Sequence, residues 1–317
     1  MKEFLIKVVC TLFVFLILIY GLDFIIQEGI RGLSYSDIRK WDEVIEGDID
    51  AEIIILGSSR ALVHFDPRII EIKSGKSCYN LGVDGNKYEV QKKILELYLA
   101  HNDSPKILYW SIDLGMFKPV DGVYEYEQFI PYWSDKIVQE ILALNRGLNM
   151  SYLNYPIVRY ANNKNLIYKG LAAYVPLHLK EPVLVKGYRE RDVNWDGRFD
   201  EFAKENRNGI AELVNDSLFH DFQLLSASLK KKDIDVRWVI TPYYQGALDL
   251  TLNSDDIIQK YKVGAEVIGV KFQNYASTPI SKNIQNFYNG SHLNKNGVAQ
   301  FMEMLEFDPV YKLELGK

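Results

Sequence analysis

Hydrophobic positions open the chain as one long run and return later as short clusters separated by polar segments. Residues 8–22 carry no charge, and the only charged residues within 4–26 are Lys7 and Asp23. A helix that spans a bilayer needs about 20 predominantly apolar residues, and a lysine near its end can extend its ammonium to the headgroups. The run therefore predicts a transmembrane anchor over residues 1–29. A cleaved signal peptide is the alternative, although no small-residue cleavage site follows the run.

Basic residues on either side of the run bear on its orientation. Lys2 and Lys7 precede the apolar core, which favours a cytoplasmic N-terminus and an extracytoplasmic C-terminal domain. Arg31, Arg39 and Lys40 follow the run and act against that orientation. We predict a single-pass membrane protein whose C-terminal domain lies outside the cytoplasm.

Beyond residue 50, short β-branched runs alternate with segments whose apolar residues recur at helical spacing. The predicted strands are Ala51–Leu56, Ser77–Leu81, Lys106–Leu114, Val236–Thr241 and Val270–Tyr275. The predicted helices are Pro67–Lys73, Tyr88–Ala100, Ile210–Lys232, Ile257–Ile268 and Lys295–Leu305. Such alternation implies a parallel sheet covered by helices on both faces. The predicted fold class is α/β, a three-layer α/β/α domain with a parallel sheet of about five strands.

Two segments depart from this alternation. Residues 30–50 are polar and predict a linker with one short helix. Residues 115–205 are rich in Tyr, Asn and Pro, and they predict a helical and loop insertion within a domain that covers residues 51–317. Insertions on a rigid scaffold often shape substrate pockets.

Composition restricts the partners of the chain. Hydrophobic residues make up 48% and charged residues 25% of the chain, which is typical of a globular protein. The net charge of −5 and the lack of a basic patch argue against nucleic acid. Cys10 lies in the apolar run and Cys78 beside a predicted strand, so a disulfide between them is not expected.

Candidate chemistry follows the ends of the predicted strands. Residues 57–60 follow the first strand, residues 80–86 follow the second, Asp113 ends the third, and residues 289–297 precede the final helix. Ligands of a parallel α/β sheet bind beyond the carboxyl ends of its strands. A serine hydroxyl is a weak nucleophile until a base within hydrogen-bond reach takes its proton. His292 is a candidate for that base.

These runs resemble the blocks of the SGNH (GDSL-type) hydrolase superfamily, whose domain is flavodoxin-like. The first block of that family reads Gly-Asp-Ser or Gly-Ser-Ser, and this chain has Gly57, Ser58 and Ser59. The last block reads Asp-x-x-His-Leu-Asn-x-x-Gly, and His292 matches its histidine. The resemblance covers roughly residues 50–114 and 230–306. It is strongest with the membrane-anchored bacterial branch that acts on cell-surface polymers.

The resemblance implies acyl transfer without a cofactor or a metal. Ser59 would be the nucleophile and His292 its base, and the backbone amides of Ser59 and Gly85 would form the oxyanion hole. Arg60, Asn86 and Asp113 are candidate substrate-binding residues. The implied substrate is a carbohydrate or acylated polymer, with envelope polysaccharide machinery as a possible partner.

Two positions differ from the family pattern. Asn289 occupies the place of the triad aspartate, so it can orient the imidazole but cannot stabilise the imidazolium by charge. The third block supplies an Asn to the oxyanion hole, whereas residues 110–115 contain no Asn and present Asp113 instead.

Several interpretations therefore remain open. The first is a serine esterase or O-acyltransferase, with acetyl as the expected acyl group, acting on an envelope or exported polysaccharide. The second is a catalytically impaired relative that serves as a glycan-binding or assembly factor, and the third is a lipid-modifying hydrolase.

Residues 192–200 match the start of an EF-hand calcium loop, but Ala203 stands where the bidentate glutamate belongs. The remaining histidines fall in no such pattern: His64, His101, His178 and His220.

Overall fold

A computed structural model gives the fold of the chain. The structure describes residues 1–33, 37–175 and 184–307, and His178 lies outside the described residues. The chain divides into two compact units. One unit, here called the anchor unit, comprises Met1–Glu43 and Asp121–Val183; the other, the sheet unit, comprises Val44–Val120 and Leu184–Lys317. The predicted insertion over 115–205 thus contributes to both units.

The sheet unit is built on a five-stranded parallel sheet in the order β2-β1-β3-β6-β7. These strands are β1 (Ile53–Leu56), β2 (Cys78–Asn80), β3 (Ile107–Ser111), β6 (Asp235–Ile240) and β7 (Lys271–Asn274). Helices flank the sheet, which confirms the predicted α/β fold class. Strand order reverses between β1 and β3, and in open parallel sheets ligands bind at such a switch point.

Two short antiparallel hairpins complete the strands in the described part of the sheet unit. The first joins β4 (Leu184–Val185) to β5 (Tyr188–Arg189), and the second joins β8 (Phe287–Asn289) to β9 (His292–Leu293). The sequence pattern did not predict either hairpin, because runs of two or three residues are too short to show alternation.

The helices lie as follows: α1 (Lys2–Arg31), α2 (Asp37–Ile45), α3 (Ser59–His64), α4 (Pro67–Ser74), α5 (Tyr88–His101), α6 (Lys136–Ala143), α7 (Lys164–Ala172), α8 (Arg198–Glu205), α9 (Asp216–Lys230), α10 (Gln245–Leu250), α11 (Ser254–Ile268) and α12 (Lys295–Met304). Short 3-10 segments are Tyr126–Tyr132, Met150–Asn154, Val158–Tyr160, Pro279–Lys282 and Ile284–Asn286.

One predicted helix begins later than its pattern indicated. The pattern placed a helix over 210–232, whereas α9 starts at Asp216. The Asn215 side chain accepts hydrogen bonds from the amides of Ser217 and Leu218 and so caps the helix there. Ile210 instead bridges Thr251 in extended conformation.

The turn between β1 and α3 requires a glycine. Gly57 has φ +152°, and a Cβ at this position would lie 2.8 Å from the Ser111 carbonyl oxygen and 2.8 Å from the Ala61 Cβ. With no side chain in the way, the chain passes from the strand into the helix within two residues. Ser58 caps α3, and Ser59 becomes its first residue.

In the anchor unit, α1 is long and apolar enough to cross a membrane, and none of its most apolar 18 residues is buried. Its C-terminal third packs against α7 through two glycines. A Cβ on Gly29 would lie 2.0 Å from the Gly170 carbonyl oxygen, and a Cβ on Gly170 would lie 2.4 Å from the Ile26 carbonyl oxygen. The two backbones therefore touch, which only glycine permits.

Candidate active site

The structure brings Ser59, His292 and Asn289 into one hydrogen-bonded row. The Ser59 Oγ lies 2.7 Å from His292 Nε2, and His292 Nδ1 lies 2.9 Å from the Asn289 Oδ1. Ser59 begins α3, whereas Asn289 and His292 face each other across the β8–β9 hairpin. Residues 233 positions apart in the sequence thus meet at the carboxyl end of β1.

The orientation of the Asn289 amide fixes the tautomer of His292. The Asn289 Oδ1 accepts hydrogen bonds from the backbone amides of Ser291 and His292, both at 3.0 Å. An amide nitrogen could not accept them, so the oxygen must be the atom that faces the imidazole. Nδ1 therefore carries the ring proton and donates it to Asn289, which leaves Nε2 free to accept the Ser59 hydroxyl proton.

Two side chains of α3 hold the hairpin on both sides of His292. Arg60 donates from Nη1 to the Ser291 carbonyl oxygen at 2.6 Å, and the Leu293 amide donates to His64 Nε2 at 2.9 Å. Because α3 also begins at Ser59, this one helix positions both the candidate nucleophile Ser59 and the candidate base His292. We call Arg60, His64 and their bonds to residues 291 and 293 the α3 clamp.

Thr241 at the end of β6 ties the clamp to the sheet. Its Oγ1 accepts from Arg60 Nη2 at 2.8 Å and from His64 Nδ1 at 2.7 Å, because the bond from Leu293 leaves the His64 proton on Nδ1. Arg60 Nη2 also donates to the Thr241 carbonyl oxygen at 2.6 Å. Arg60 is 3% and His64 0% exposed, so both are structural parts of the site floor.

The predicted substrate contacts of Arg60 and Asp113 are occupied by protein groups. Arg60 Nε lies 3.0 Å from Asp113 Oδ1, and the guanidinium stacks 3.5 Å from the Tyr243 ring centre. Ser58 donates its hydroxyl proton to Asp113 Oδ2. The carboxylate at the cavity wall is thus neutralised by Arg60, which reduces its repulsion of an oxyanion.

An open cavity of about 560 Å³ gives access to the row. Ser59, Gly85, Asn86, Asp113 and His292 line it, together with Phe199 and Phe202 of α8. All of the predicted site residues border this cavity: Ser59, Arg60, Gly85, Asn86, Asp113, Asn289 and His292. The structure therefore brings the whole predicted set together.

Asn86 differs from the other residues of the cavity wall. Its side chain is 3% exposed, and neither Oδ1 nor Nδ2 has a hydrogen-bond partner among the described residues. A buried amide without partners is destabilising. Asn86 lines the cavity together with Ser59, so its unpartnered amide is a candidate contact for a ligand there.

Burial and positive charge lower the pKa of both histidines near the cavity. Burial, followed by Arg60 and Arg191, lowers the pKa of His292 to about 3, while the Asp196 carboxylate acts in the opposite direction. Burial, followed by Arg60 and His292, lowers the pKa of His64 well below its usual range. Both rings are therefore neutral near pH 7, the state in which His292 can accept a proton.

Sequence reasoning missed two residues that support the imidazole of His292. The sequence pattern assigns no role to His64, because its role depends on a hairpin that the sequence does not reveal. Tyr288 stacks on the His292 ring at 5.3 Å between centres and an interplanar angle of 9°. Neither residue type signals such a role without the fold.

Within residues 192–200, which match the start of a calcium loop, the Asp196 carboxylate makes local contacts. Asp196 Oδ1 accepts from the Arg198 amide at 3.0 Å, and its Oδ2 lies 2.6 Å from Arg198 Nη2. Within residues 1–33, 37–175 and 184–307, no group of three or more His, Cys, Asp or Glu side chains is arranged to hold a metal ion.

Comparison with known proteins adds little to this geometry. No protein-family model matches the chain, and no curated protein matches it. A solved structure named "putative platelet activating factor" from Streptococcus pneumonia is similar at 12% identity and a TM-score of 0.37, over 93% of this chain and 96% of that chain. A likeness this distant carries no argument about activity.

Stability should depend on pH through the buried His64 and the half-buried His292, whose pKa values are both lowered in the folded chain. Below the ordinary histidine pKa of 6.5, the unfolded chain binds protons that the folded chain does not, so the free energy of unfolding falls as pH decreases. His64→Gln removes one of these sites. The variant should be less stable than the parent at pH 7.5, and the difference should shrink by up to about 1.4 kcal/mol per pH unit below 6.5.

Urea unfolding in detergent micelles at pH 7.5 and pH 5.5 measures this difference. Carboxylates titrate in both proteins and cancel in the comparison. A stability difference that stays constant between the two pH values would show that His64 is not buried as a neutral base.

Proposed function

We propose that the chain is a membrane-anchored SGNH-type serine esterase or O-acyltransferase that acts on acyl groups, acetyl above all, of an envelope or exported polysaccharide. One observation carries the proposal: the Ser59 hydroxyl lies 2.7 Å from a neutral His292 Nε2 at the edge of an open cavity. A nucleophile, a base and a group that orients the base are the parts that acyl transfer needs.

The first half-reaction forms an acyl-enzyme. Ser59 Oγ attacks the ester carbonyl carbon while its proton moves to His292 Nε2. The tetrahedral intermediate collapses when the bond to the sugar oxygen breaks, and the Nε2 proton passes to that oxygen. The sugar leaves as a free alcohol, and the acyl group remains on Ser59.

The second half-reaction decides between hydrolysis and transfer. Water or a sugar hydroxyl attacks the acyl-enzyme, and its proton moves to His292 Nε2. Collapse returns that proton to Ser59 Oγ and releases either the free acid or a newly acylated sugar. The cavity that Ser59 lines is open to solvent, so both water and a sugar hydroxyl can reach Ser59.

Three donors can stabilise the oxyanion. The amide of Ser59 lies at the first position of α3, where a helix offers no acceptor for it. The Gly85 amide is the second, as the family resemblance implies. The unpartnered Nδ2 of Asn86 is the third, and it replaces the Asn that residues 110–115 lack. Each such donor contributes about 3 kcal/mol to transition-state stabilisation.

The His292 imidazolium that forms in each step is only weakly stabilised by neighbouring negative charge. Asn289 offers only a carbonyl dipole to Nδ1, and the nearby Arg60 disfavours a positive ring. The Asp196 carboxylate favours it, but less than burial and the arginines disfavour it. We therefore expect a slow enzyme whose base is in its active, neutral form over a wide pH range.

A carbohydrate substrate is supported by the aromatic wall of the cavity. Phe199 and Phe202 project from α8, and Phe199 packs against Tyr244 with ring centres 5.4 Å apart. Flat apolar faces beside polar groups suit sugar rings, which present C–H faces and hydroxyl edges.

The alternative is an impaired relative that binds glycans or assists assembly without turnover. Asn289 is the observation that favours it, since a neutral side chain stands where a charge is expected. The intact hydrogen-bonded row from Ser59 to Asn289 favours an enzyme.

A fluorophosphonate probe should label the full-length protein at Ser59, because the probe requires an activated serine. Ser59→Ala should abolish labelling. Ser58→Ala is the matched control and should retain it, since the Ser58 hydroxyl points to Asp113 rather than to a base. Absence of labelling in folded parent protein would exclude the enzyme and leave the glycan-binding alternative.

Asn86→Ala should lower kcat for p-nitrophenyl acetate by about 10²–10³-fold with little change in KM, because the lost donor acts mainly on the transition state. Asn86→Asp preserves the shape and should lose at least as much, since a carboxylate repels the oxyanion. A raised KM with unchanged kcat would assign Asn86 to ground-state substrate binding instead.

A further inference from the structure

The anchor unit presents an apolar surface next to the point where α1 would leave the bilayer. Six large side chains of this unit, here called the juxtamembrane face, are between 42% and 61% exposed: Tyr152, Tyr155, Val158, Tyr168, Leu171 and Tyr174. Single exposed apolar residues are ordinary, but a cluster within one small unit usually marks a contact surface.

Hydrogen bonds to Asp23 fix the depth of one part of this face. Asp23 directly follows the uncharged run 8–22, and its carboxylate is 6% exposed. It accepts from the Ile157 amide at 2.7 Å and lies 3.5 Å from Arg159 Nε. The segment that carries Tyr155 and Val158 is therefore held at the level of α1 where the uncharged run ends.

Contacts of α7 fix the rest of the face. Gly170 touches Gly29, and the Tyr174 hydroxyl donates to the Ile25 carbonyl oxygen at 3.1 Å. Along a helix, Gly29 lies about 9 Å beyond Asp23, at 1.5 Å per residue. Tyr174 thus reaches back from the α7 crossing toward the apolar run.

These levels coincide with the headgroup layer if α1 spans the membrane. Residues 4–22 of α1 cover about 28 Å at helical rise, which matches a hydrocarbon core of about 30 Å. The headgroup layer adds roughly 5–7 Å on each side. Asp23 and its attached segment would then lie at the boundary and α7 within or just above the headgroups.

Residue types on this stretch suit a lipid interface. Residues 141–175 contain no Asp or Glu, and their charged residues are all basic: Arg146, Arg159, Lys164 and Lys169. Tyrosine is enriched where a membrane meets water, because its ring is apolar and its hydroxyl polar. Arg146 and Lys164 are exposed, and exposed basic residues near a membrane are attracted to anionic lipids. Arg159 instead is buried against Asp23.

We propose that the juxtamembrane face lies in the headgroup layer of the bilayer that α1 crosses, so that the anchor unit is held both through and on the membrane. The inference rests on the transmembrane part of the proposed function and is independent of the chemistry at Ser59. The lipid, rather than another protein, is the occupant because the face is joined to α1 at Asp23, Ile25 and Gly29, next to the exposed apolar run of that helix.

Position-specific quenching tests the proposal in the full-length protein reconstituted into phosphatidylcholine–phosphatidylglycerol vesicles. An environment-sensitive fluorophore is attached at native Cys10 or, in a Cys10→Ser background, at Tyr155→Cys, Leu171→Cys or Gly32→Cys. Cys78 is 2% exposed and does not compete for the label. Cys10 and Gly32 serve as a depth ruler on α1, one within the span and one beyond it.

Labels at positions 155 and 171 should be quenched by lipids with a nitroxide near the headgroup and protected from aqueous iodide. The ratio of nitroxide to iodide quenching should lie between the ratios measured at Cys10 and at Gly32. Iodide quenching as strong as at Gly32 would place the face in water and overturn the proposal. Protection from both quenchers would show that protein covers the face. A water-exposed label at Cys10 would show that α1 does not span the membrane. Labelling of Ser59 by fluorophosphonate tests the chemistry separately.

Discussion

The α3 clamp is the constraint on which the rest of the site depends. Ser59 and His292 come from distant parts of the chain, and a hydrogen bond between them requires positioning to a few tenths of an ångström. Arg60 and His64 hold the peptide groups on either side of His292, and Thr241 joins both to the sheet. Because the clamp is buried, it holds His292 within hydrogen-bond reach of Ser59, as the proposed proton transfer requires.

Asn289 keeps the hydrogen bonds of the row from Ser59 to His292 but removes the negative charge that a triad aspartate would supply. In a serine protease, replacing the triad aspartate with Asn is costly because the amide selects the wrong tautomer. Here two backbone amides turn the Asn289 oxygen toward Nδ1 and select the useful tautomer. What is missing is charge, since burial and Arg60 lower the pKa of His292 and, among the residues that the structure describes, no carboxylate hydrogen-bonds to the ring. Geometry therefore supports acyl transfer, while electrostatics limit its rate.

Much of this could be predicted from the sequence, and the failures have physical causes. The five sheet strands and the grouping of Ser59, Gly85, Asp113 and His292 follow from periodicity and from the rule that parallel strands present their carboxyl ends on one edge. His64 and the Arg60 contacts depend on a hairpin too short to leave a pattern. The packing of residues 157–174 against α1 has one signal in the sequence, Asp23 within an apolar run, because a carboxylate there needs a partner such as Arg159.

The central claim is that Asn289 holds His292 neutral with its proton on Nδ1 and Nε2 directed at Ser59. Nitrogen-15 NMR of histidine-labelled protein, with the His292 signals assigned through a His292→Gln variant, reads the tautomer directly. The account predicts a neutral ring protonated at Nδ1 from pH 5 to pH 8. A ring protonated at Nε2, or an imidazolium near pH 6, would contradict it.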